Sequence, residues 1–397
     1  MSGSTVFSVS RLPRIEFGRG AFDKLVPVAR EYGRRVLLVT GAQSFRQTPY
    51  WQHLVDALDG DGLEWWHCTV AGEPSPELVD DSVRQFADAG IDVVIGIGGG
   101  SALDAAKAIA GLLRTGCSVM DFLEGVGPEL AYPGPAVPFI AVPTTAGTGS
   151  EATKNAVLSR SGEQAFKKSF RDEQLVARVA IVDPDLFASC PPPVIAANGM
   201  DAMTQLLESY VSIKASPFTD ALAESGLRAV RDGLLDWYRL GREAVAARER
   251  MAYAALLSGI TLAQAGLGSV HGLASPLGAF YPIPHGVVCG TLVAEATAVN
   301  ITAMREREPD NPALQRYARV AELFCQRPFR SPQQGGEALV DWLRDWSVEM
   351  QLSGLAQHGL RAAELDRVVA HARGSSMKTN PIVLKDTEIR HILEQCL

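Results

Sequence analysis

Short apolar runs alternate with helical segments through the first half of the chain. Each run is rich in branched residues and ends at a glycine, a proline or a polar turn, which is typical of buried strands. Four such runs are predicted strands: 36–40, 93–97, 139–142 and 179–182. A helix is predicted between the first two, starting at Ser75-Pro76 and stopping at Gly90. Strands that alternate with helices predict an α/β fold with a parallel sheet.

After about Asp185 the chain changes to long segments with helical period. Helices are predicted at 193–212, 217–240 and 243–267, with more to the C-terminus. The boundary is predicted within 183–193, where three consecutive prolines at 191–193 forbid a continuous helix and favour a stiff linker. We therefore predict an α/β plus all-α architecture, with a parallel-sheet domain over 1–185 and a helical domain over 186–397.

Charge and composition exclude several classes of partner. The chain has 37 Lys and Arg against 45 Asp and Glu, a net charge of −8, so nucleic acid is not expected as a partner. No apolar run approaches the roughly 20 residues of a membrane helix, and the N-terminus does not resemble a signal peptide. Six scattered cysteines without a CxxC pair are interpreted as buried, reduced thiols. We expect a cytoplasmic protein without a membrane partner.

A glycine-rich turn follows the second predicted strand and opens an Ala-rich helix. The sequence is GGGSALDAAK, from Gly98 to Lys107. Glycines let the backbone approach a ligand closely, and the start of a helix presents free N–H groups to a pyrophosphate. The alternative is a tight connection without a ligand, and the turn is not the GxGxxG fingerprint. The candidate cofactor-binding residues here are Gly98, Gly99, Gly100, Ser101 and Asp104.

A second polar segment, PTTAGTGSE, follows the third predicted strand. Its hydroxyl groups include those of Thr144, Thr145 and Thr148. Because open α/β sheets bind ligands at the C-terminal ends of their strands, we expect these side chains to contact the same cofactor. A loop that only caps a helix is the alternative.

One carboxylate and two imidazoles in the second half form a candidate metal site. Asp201 and Gln205 are four residues apart on a predicted helix, so they share a face. His271 and His285 lie among small residues and turns. Together these groups are a candidate site for Zn²⁺ or Fe²⁺, with the amide as a weak neutral ligand. On spacing alone, hydrogen-bonded core histidines remain the alternative.

Four ordered motifs carry a resemblance to a known family. They are GGGSxxDxAK, PTTAGTGSE, GMDAxTxxxESY and VHGxxxPLGAFYxIPHG, at 98–107, 143–151, 199–210 and 270–286. In this order they resemble the group III, iron-containing alcohol dehydrogenases. The resemblance implies a Rossmann-like, dinucleotide-binding α/β domain and a helical metal and substrate domain of the dehydroquinate synthase type, with cofactor and metal in the cleft between them. We also expect a homodimer.

The resemblance assigns roles to individual residues. It implies that Asp201, Gln205, His271 and His285 are the metal ligands, and that Lys167 lies near the cofactor and the reacting groups. Two positions depart from the family pattern: Gln205 stands where His is usual, and Ser275 replaces another His. Because an amide oxygen is a poorer ligand than imidazole, a weaker or more zinc-like metal site and a metal-free site both stay open.

The residues after the first predicted strand bear on the choice between NAD and NADP. NAD-preferring relatives often have Asp there, whose carboxylate repels a 2′-phosphate. This chain has Gly41, followed by Ser44 and Arg46, which could hold such a phosphate. An ordinary surface turn is the alternative. The chain is expected to use NAD(P)(H), with NADPH slightly favoured.

The expected reaction is hydride transfer between the nicotinamide and a small aldehyde or primary alcohol, with a metal or its vestigial site polarising the carbonyl oxygen. Lys168, Arg171 and Lys378 suggest a substrate with an anionic tail. A dehydroquinate synthase-like cyclase and a non-catalytic nucleotide-binding relative are the alternatives.

Overall fold

The computed structural model describes residues 6–160, 162 and 164–397, which form two compact units. One unit is Ser10–Cys190, and the other joins residues 6–9 to Pro191–Leu397. The strands and helices of the first unit are β1 (Arg14–Phe17), α1 (Leu25–Arg30), β2 (Arg35–Gly41), α2 (Pro49–Gly60), β3 (Glu64–Val70), α3 (Pro76–Phe86), β4 (Val93–Gly98), α4 (Gly100–Leu112), β5 (Phe139–Pro143), β6 (Asn155–Arg160), β7 (Phe166–Arg171) and β8 (Val179–Val182).

Six of these strands form a parallel sheet in the order β1-β8-β5-β4-β2-β3. The chain leaves β2 through α2 towards β3 on one side, and leaves β4 through α4 towards β5 on the other. The direction of winding therefore reverses between β2 and β4, which pair from Val36↔Val93 to Thr40↔Ile97. In open parallel sheets a ligand crevice lies beyond the strand ends at such a reversal. The remaining two strands, β6 and β7, form an antiparallel hairpin.

The core of this unit follows from the apolar runs. Every residue of β4 is buried, as continuous apolar strands of parallel sheets are. Helix α4 packs on β4 so closely that a Cβ on Gly96 would lie 2.7 Å from the Cβ of Ala106. Helix α3 has the predicted signals: Ser75 accepts a hydrogen bond from the N–H of Leu78, and Gly90 has the left-handed φ of 59°.

The second unit is helical within the residues described. Its helices are α5 (Pro192–Val211), α6 (Pro217–Leu240), α7 (Val245–Ala265), α8 (Ser269–Phe280), α9 (His285–Arg307), α10 (Ala313–Cys325), α11 (Pro332–Glu349), α12 (Leu365–His371) and α13 (Asp386–Gln395). The predicted helices at 193–212, 217–240 and 243–267 correspond to α5, α6 and α7. The predicted α/β plus all-α architecture is confirmed.

The prediction of a stiff linker at the three prolines is wrong. Pro191 is the N-cap of α5, and Pro192 and Pro193 occupy its first turn. Proline is tolerated there because the first N–H groups of a helix have no partner within it, and its fixed φ suits the helix. The prolines therefore start the helix that carries Asp201.

The interpretation of all six cysteines as buried small hydrophobes is wrong for four of them. Cys68, Cys117, Cys190 and Cys325 are partly exposed, and only Cys289 and Cys396 are buried. All six are free thiols.

Helix α9 is long and apolar enough to cross a membrane by length and composition. However, 72% of its apolar window is buried inside the protein, as in the core helix of a packed domain.

Candidate functional site

The glycine-rich turn lies at the strand end where the sheet reverses its winding. Gly98 ends β4 with a left-handed φ of 155°, and a Cβ there would lie 3.5 Å from the backbone nitrogen of Gly41, at the end of β2. Gly99 is the N-cap of α4 and lacks a side-chain cap, so the first N–H groups of this helix face outward from the turn. The turn thus combines a close backbone approach with the positive end of a helix, the combination that binds a pyrophosphate.

The polar segment PTTAGTGSE at 143–151, called the threonine segment below, lies directly against this turn. The backbone N–H of Thr144 donates to the carbonyl of Gly98 at 2.9 Å. A Cβ on Gly99 would lie 3.3 Å from Oγ1 of Thr145, and one on Gly100 would lie 2.7 Å from Cγ2 of Thr148. The two motifs, separated by about 45 residues of sequence, therefore form one polar surface, and larger residues would not fit at the turn.

Buried ionisable groups hold the two motifs together. Lys107, fully buried on α4, donates hydrogen bonds to Ser150 O at 2.9 Å, Thr153 Oγ1 at 3.0 Å and Asn155 O at 2.6 Å. Asp104 accepts from Ser150 Oγ at 2.6 Å and from a backbone N–H of β6 at 3.1 Å. Both carboxylate oxygens of Asp104 thus have partners inside the protein, and these contacts position the turn. A direct contact between Asp104 and a cofactor stays a prediction.

Burial also perturbs the carboxyl group next to this network. Glu151 is 2% exposed, and its burial raises its pKa to about 7. Burial lowers the pKa of Lys107 in the same region, against the opposing effect of Asp104. A buried charge here is costly unless it is paired, so the charges of Glu151 and Lys107 depend on the packing of the segment 143–151 against α4.

Four residues with predicted cofactor roles lie outside these two motifs. Gly41 is half-buried at the end of β2, and Ser44 is exposed in the loop beyond it. Arg46 is also exposed, with its guanidinium 5.5 Å from the centre of the Trp51 ring. Lys167 lies on β7 and forms an ion pair with Glu73, which also accepts a hydrogen bond from it.

The second unit brings three predicted ligands together with one that was not predicted. Ligand atoms of Asp201, His271, His285 and Cys289 all lie within 4.8 Å of one another. Oδ1 of Asp201 lies 3.2 Å from Nε2 of His271 and 3.7 Å from Nε2 of His285. Asp201, His271 and Cys289 are buried, whereas the side chain of His285 is 29% exposed, so one side of the cluster is accessible.

Close packing of α9 against α5 brings three of the four cluster residues together. His285 and Cys289 are four residues apart at the start of α9 and share a face. On the same helix, a Cβ on Gly286 would lie 2.3 Å from the carbonyl oxygen of Ala197, and one on Gly290 would lie 3.0 Å from the Cβ of Met200. Only glycine allows α9 to approach α5 this closely, which brings its ligands to Asp201.

A second carboxylate orients His271. Glu208 lies on α5 seven residues after Asp201, and its Oε2 is 2.6 Å from Nδ1 of His271. Its Oε1 accepts a hydrogen bond from the N–H of Val270 at 2.7 Å, at the start of α8. A carboxylate on Nδ1 fixes the imidazole so that Nε2 points to a metal, an arrangement typical of metal-ligating histidines.

The electrostatics of the cluster favour positive charge. Burial alone would lower the pKa of His271, but contacts with Cys289, Asp201 and Glu208 raise it well above its ordinary value. Burial alone would raise the pKa of Asp201, but His285 and His271 lower it. Burial raises the pKa of the Cys289 thiol to about 12. Asp201 and Glu208 thus favour the protonated imidazole of His271 between them, and a metal at Nε2 would have to displace that proton.

The predicted ligand Gln205 is buried on α5 and its Oε1 accepts a hydrogen bond from Ser258 Oγ at 2.7 Å. Ser275 lies on α8 and is half-buried. Sequence reasoning missed Cys289 and Glu208. The signal for Cys289 was its four-residue spacing from His285, and the signal for Glu208 was its seven-residue spacing from Asp201.

Comparison with known proteins identifies the family. Residues 13–184 match the model of the iron-containing alcohol dehydrogenases, and residues 195–397 match the model of the C-terminal part of the same family. The chain belongs to the iron-containing alcohol dehydrogenase family.

Individual relatives agree with this assignment. The chain is 29% identical to an NAD-dependent methanol dehydrogenase of Bacillus methanolicus, over 97% of this chain and 98% of the relative. It is 34% identical to the lactaldehyde reductase of Escherichia coli K12, over 74% and 76%. Among solved structures, a sulfoacetaldehyde reductase from Bifidobacterium kashiwanohense in complex with NAD⁺ matches with a TM-score of 0.85 and 26% identity, over 99% of each chain.

Proposed function

We propose that this chain, an NAD-dependent alcohol dehydrogenase or aldehyde reductase by family, interconverts a small aldehyde and a primary alcohol with the help of a divalent metal. The observation that carries the metal-assisted reaction is the cluster of Asp201, His271 and His285, whose ligand atoms lie within 4.8 Å of one another. A nucleotide-binding relative that had lost catalysis would have no reason to keep this buried, charged group, because it is costly to bury without a compensating cation.

The cofactor binds at the turn from Gly98 to Ser101. The N–H groups at the start of α4 hold the pyrophosphate, and the hydroxyl groups of Thr144, Thr145 and Thr148 supply further hydrogen bonds. Lys107 on α4 does not contact the cofactor in this proposal but donates hydrogen bonds to Ser150 O and Thr153 Oγ1, which hold the threonine segment against the turn.

The loop after β2 decides between NADH and NADPH. Gly41 offers no carboxylate to repel a 2′-phosphate, and the exposed Ser44 and Arg46 supply a hydroxyl and a cation beside it. We expect both cofactors to be accepted, with NADPH slightly favoured. Relatives named for NAD support the use of NADH.

Asp201, His271 and His285 would hold the metal, and Glu208 orients His271. When bound, a divalent metal supplies Lewis-acid polarisation of the carbonyl oxygen of the substrate. Zn²⁺ and Fe²⁺ both suit nitrogen and oxygen donors.

The reduction balances as one hydride and one proton. A bound, reduced nicotinamide would supply the hydride for the carbonyl carbon and be oxidised, and the oxygen then needs one proton. Ser275 has no group that titrates near neutral pH. The proton therefore comes from water. Lys167 is proposed to lie on the cofactor side of the reaction, with its charge balanced by Glu73.

The substrate is proposed to be a small aldehyde, with an anionic tail as the preferred form. Lys378 is exposed and offers a cation, whereas Arg171 pairs with Glu124 at 3.3 Å. A relative that acts on sulfoacetaldehyde, an aldehyde with a sulfonate, supports this preference. We further propose that the protein works as a cytoplasmic homodimer.

Turnover with a panel of aldehydes tests the proposal. Zinc-loaded and iron-loaded protein is supplied with propanal, lactaldehyde or sulfoacetaldehyde, and oxidation of NADH and NADPH is followed. We expect turnover that Asp201→Asn nearly abolishes, while Asp310→Asn, at an exposed position, has no effect. Absence of turnover with every aldehyde and both cofactors would refute the proposal.

A further inference from the structure

The metal cluster has a fourth donor in the thiol of Cys289. Its Sγ lies 3.6 Å from Nε2 of His271 and 3.7 Å from Nε2 of His285. The side chain is fully buried, and its helix approaches α5 closely at Gly286 and Gly290. The thiol is therefore held in place by the packing that brings His285 to Asp201.

Four of the six spacings within the cluster are close to those around a tetrahedral zinc ion, and the other two are no longer than 4.8 Å. With metal–nitrogen and metal–oxygen distances of about 2.1 Å and a metal–sulfur distance of about 2.3 Å, nitrogen and oxygen ligands lie about 3.4 Å apart, and nitrogen and sulfur about 3.6 Å. The observed separations are 3.2 and 3.7 Å from Asp201 to the two histidines, and 3.6 and 3.7 Å from Cys289 to them. These four separations suit a tetrahedral metal ion held by Asp201, the two histidines and Cys289.

The other candidate for the fourth position already accepts one hydrogen bond, which uses one of the two lone pairs of its amide oxygen. Oε1 of Gln205 accepts a hydrogen bond from Ser258 Oγ at 2.7 Å. An amide oxygen is also a weaker ligand for a transition metal than a thiolate. Cys289 has the better ligand atom of the two, and its Sγ lies 3.6 and 3.7 Å from the histidine nitrogens.

We propose that Cys289 supplies the fourth metal ligand in place of Gln205, and that the resulting Asp-His-His-Cys set selects Zn²⁺ over Fe²⁺. On binding, the thiol loses its proton to solvent and its sulfur bonds to the metal. Sulfur and imidazole donors in a four-coordinate set suit zinc, which has no geometric preference of its own. This inference rests on the metal-assisted form of the proposed function.

Cobalt substitution tests the sulfur ligand without any activity measurement. Co²⁺ bound to a thiolate gives an intense near-ultraviolet charge-transfer band, which nitrogen and oxygen ligands do not give. The band is expected in the wild type and in Gln205→Ala, and is lost in Cys289→Ser. Cys396→Ser is the matched control, since Cys396 is the other buried cysteine and lies outside the cluster.

Metal competition tests the selectivity. Metal-free protein is equilibrated without oxygen with equimolar Zn²⁺ and Fe²⁺, and the bound metal is measured by elemental analysis. We expect zinc to predominate, and Cys289→Ser to weaken zinc binding by more than the roughly 10–100-fold typical of an outer-shell change. Equal occupancy by the two metals in the wild type would overturn the selectivity.

The outcomes separate this inference from the proposed function. A wild-type cobalt complex without the sulfur band, or a Cys289→Ser protein that keeps it, overturns the role of Cys289 and leaves the metal-assisted function standing. Failure of the wild type to bind either zinc or cobalt overturns both. If Cys289→Ser does not fold, X-ray absorption of the wild-type zinc protein decides: a sulfur shell at about 2.3 Å is expected, and its absence overturns the inference.

Discussion

Replacing Glu208 with glutamine should weaken metal binding although Glu208 is not a ligand. Its carboxylate accepts two hydrogen bonds: Oε1 accepts one from Val270 N–H at 2.7 Å, and Oε2 accepts one from His271 Nδ1–H at 2.6 Å. A glutamine has a single oxygen, so it can accept only one of them and places an N–H₂ group against the other donor. Loss of a buried hydrogen bond to a charged group costs about 1.5–3 kcal/mol of unfolding free energy. Loss of an outer-shell partner weakens metal binding about 10–100-fold, or about 1.4–2.7 kcal/mol.

Two assays separate these effects. Urea unfolding of the metal-free protein measures the first, and competition with a chromogenic zinc chelator measures the second. Glu306→Gln is the control, because it makes the same change on an exposed face of α9. Wild-type zinc affinity in Glu208→Gln would refute the argument that Glu208 orients His271, and would leave it only as a cap for α8.

Three other predictions follow from the two sites. Gly99→Val should weaken binding of NADH and NADPH by about tenfold or more in a fluorescence titration, because its Cβ would lie 3.3 Å from Thr145 Oγ1, where the pyrophosphate is proposed to bind. Unchanged affinity in a folded variant would contradict this cofactor site. Asp201→Asn should weaken zinc binding far more than Gln205→Ala, since a carboxylate is the stronger ligand; equal losses by chelator competition would contradict this. Burial raises the pKa of Glu151 from 4.5 to about 7, so the folded chain holds this proton more tightly than the unfolded chain does. The contribution of Glu151 to the free energy of unfolding is therefore complete below about pH 4.5 and is lost as the pH rises towards 7. In urea unfolding, the free energy of unfolding of Glu151→Gln should therefore rise by about 3 kcal/mol relative to that of the wild type between about pH 4.5 and 7.5. A constant difference between the two proteins across this range would refute the prediction.

The parts of the fold that sequence could predict are those with a local pattern. The run at 93–97 is buried on both faces, so its continuous apolar character predicts a parallel strand. Strand β3 has no such run, because it lies at the sheet edge and carries the half-buried Trp65, Trp66 and His67. The β6–β7 hairpin is rich in charged and polar residues, so its strands have no distinct signal either.

The candidate metal site shows the same division. Asp201, His271 and His285 could be selected from residue type and from the resemblance of their motifs. Cys289 and Glu208 could not, because their roles depend on how closely separate helices pack. The packing of α9 against α5 and α8 is a tertiary property. No pattern within one helix specifies the 3.6 Å from the Cys289 thiol on α9 to the His271 imidazole on α8.

The most direct test of the central claim is transfer of deuterium from the cofactor to the substrate. Zinc-loaded protein is supplied with propanal and with NADH or NADPH that carries deuterium at C4 on one face or the other, and the alcohol is analysed by mass spectrometry. The proposed reaction predicts propanol with one deuterium at C1 from only one of the two labelled faces. Propanol without deuterium from either face, or no propanol at all, would contradict hydride transfer by this protein.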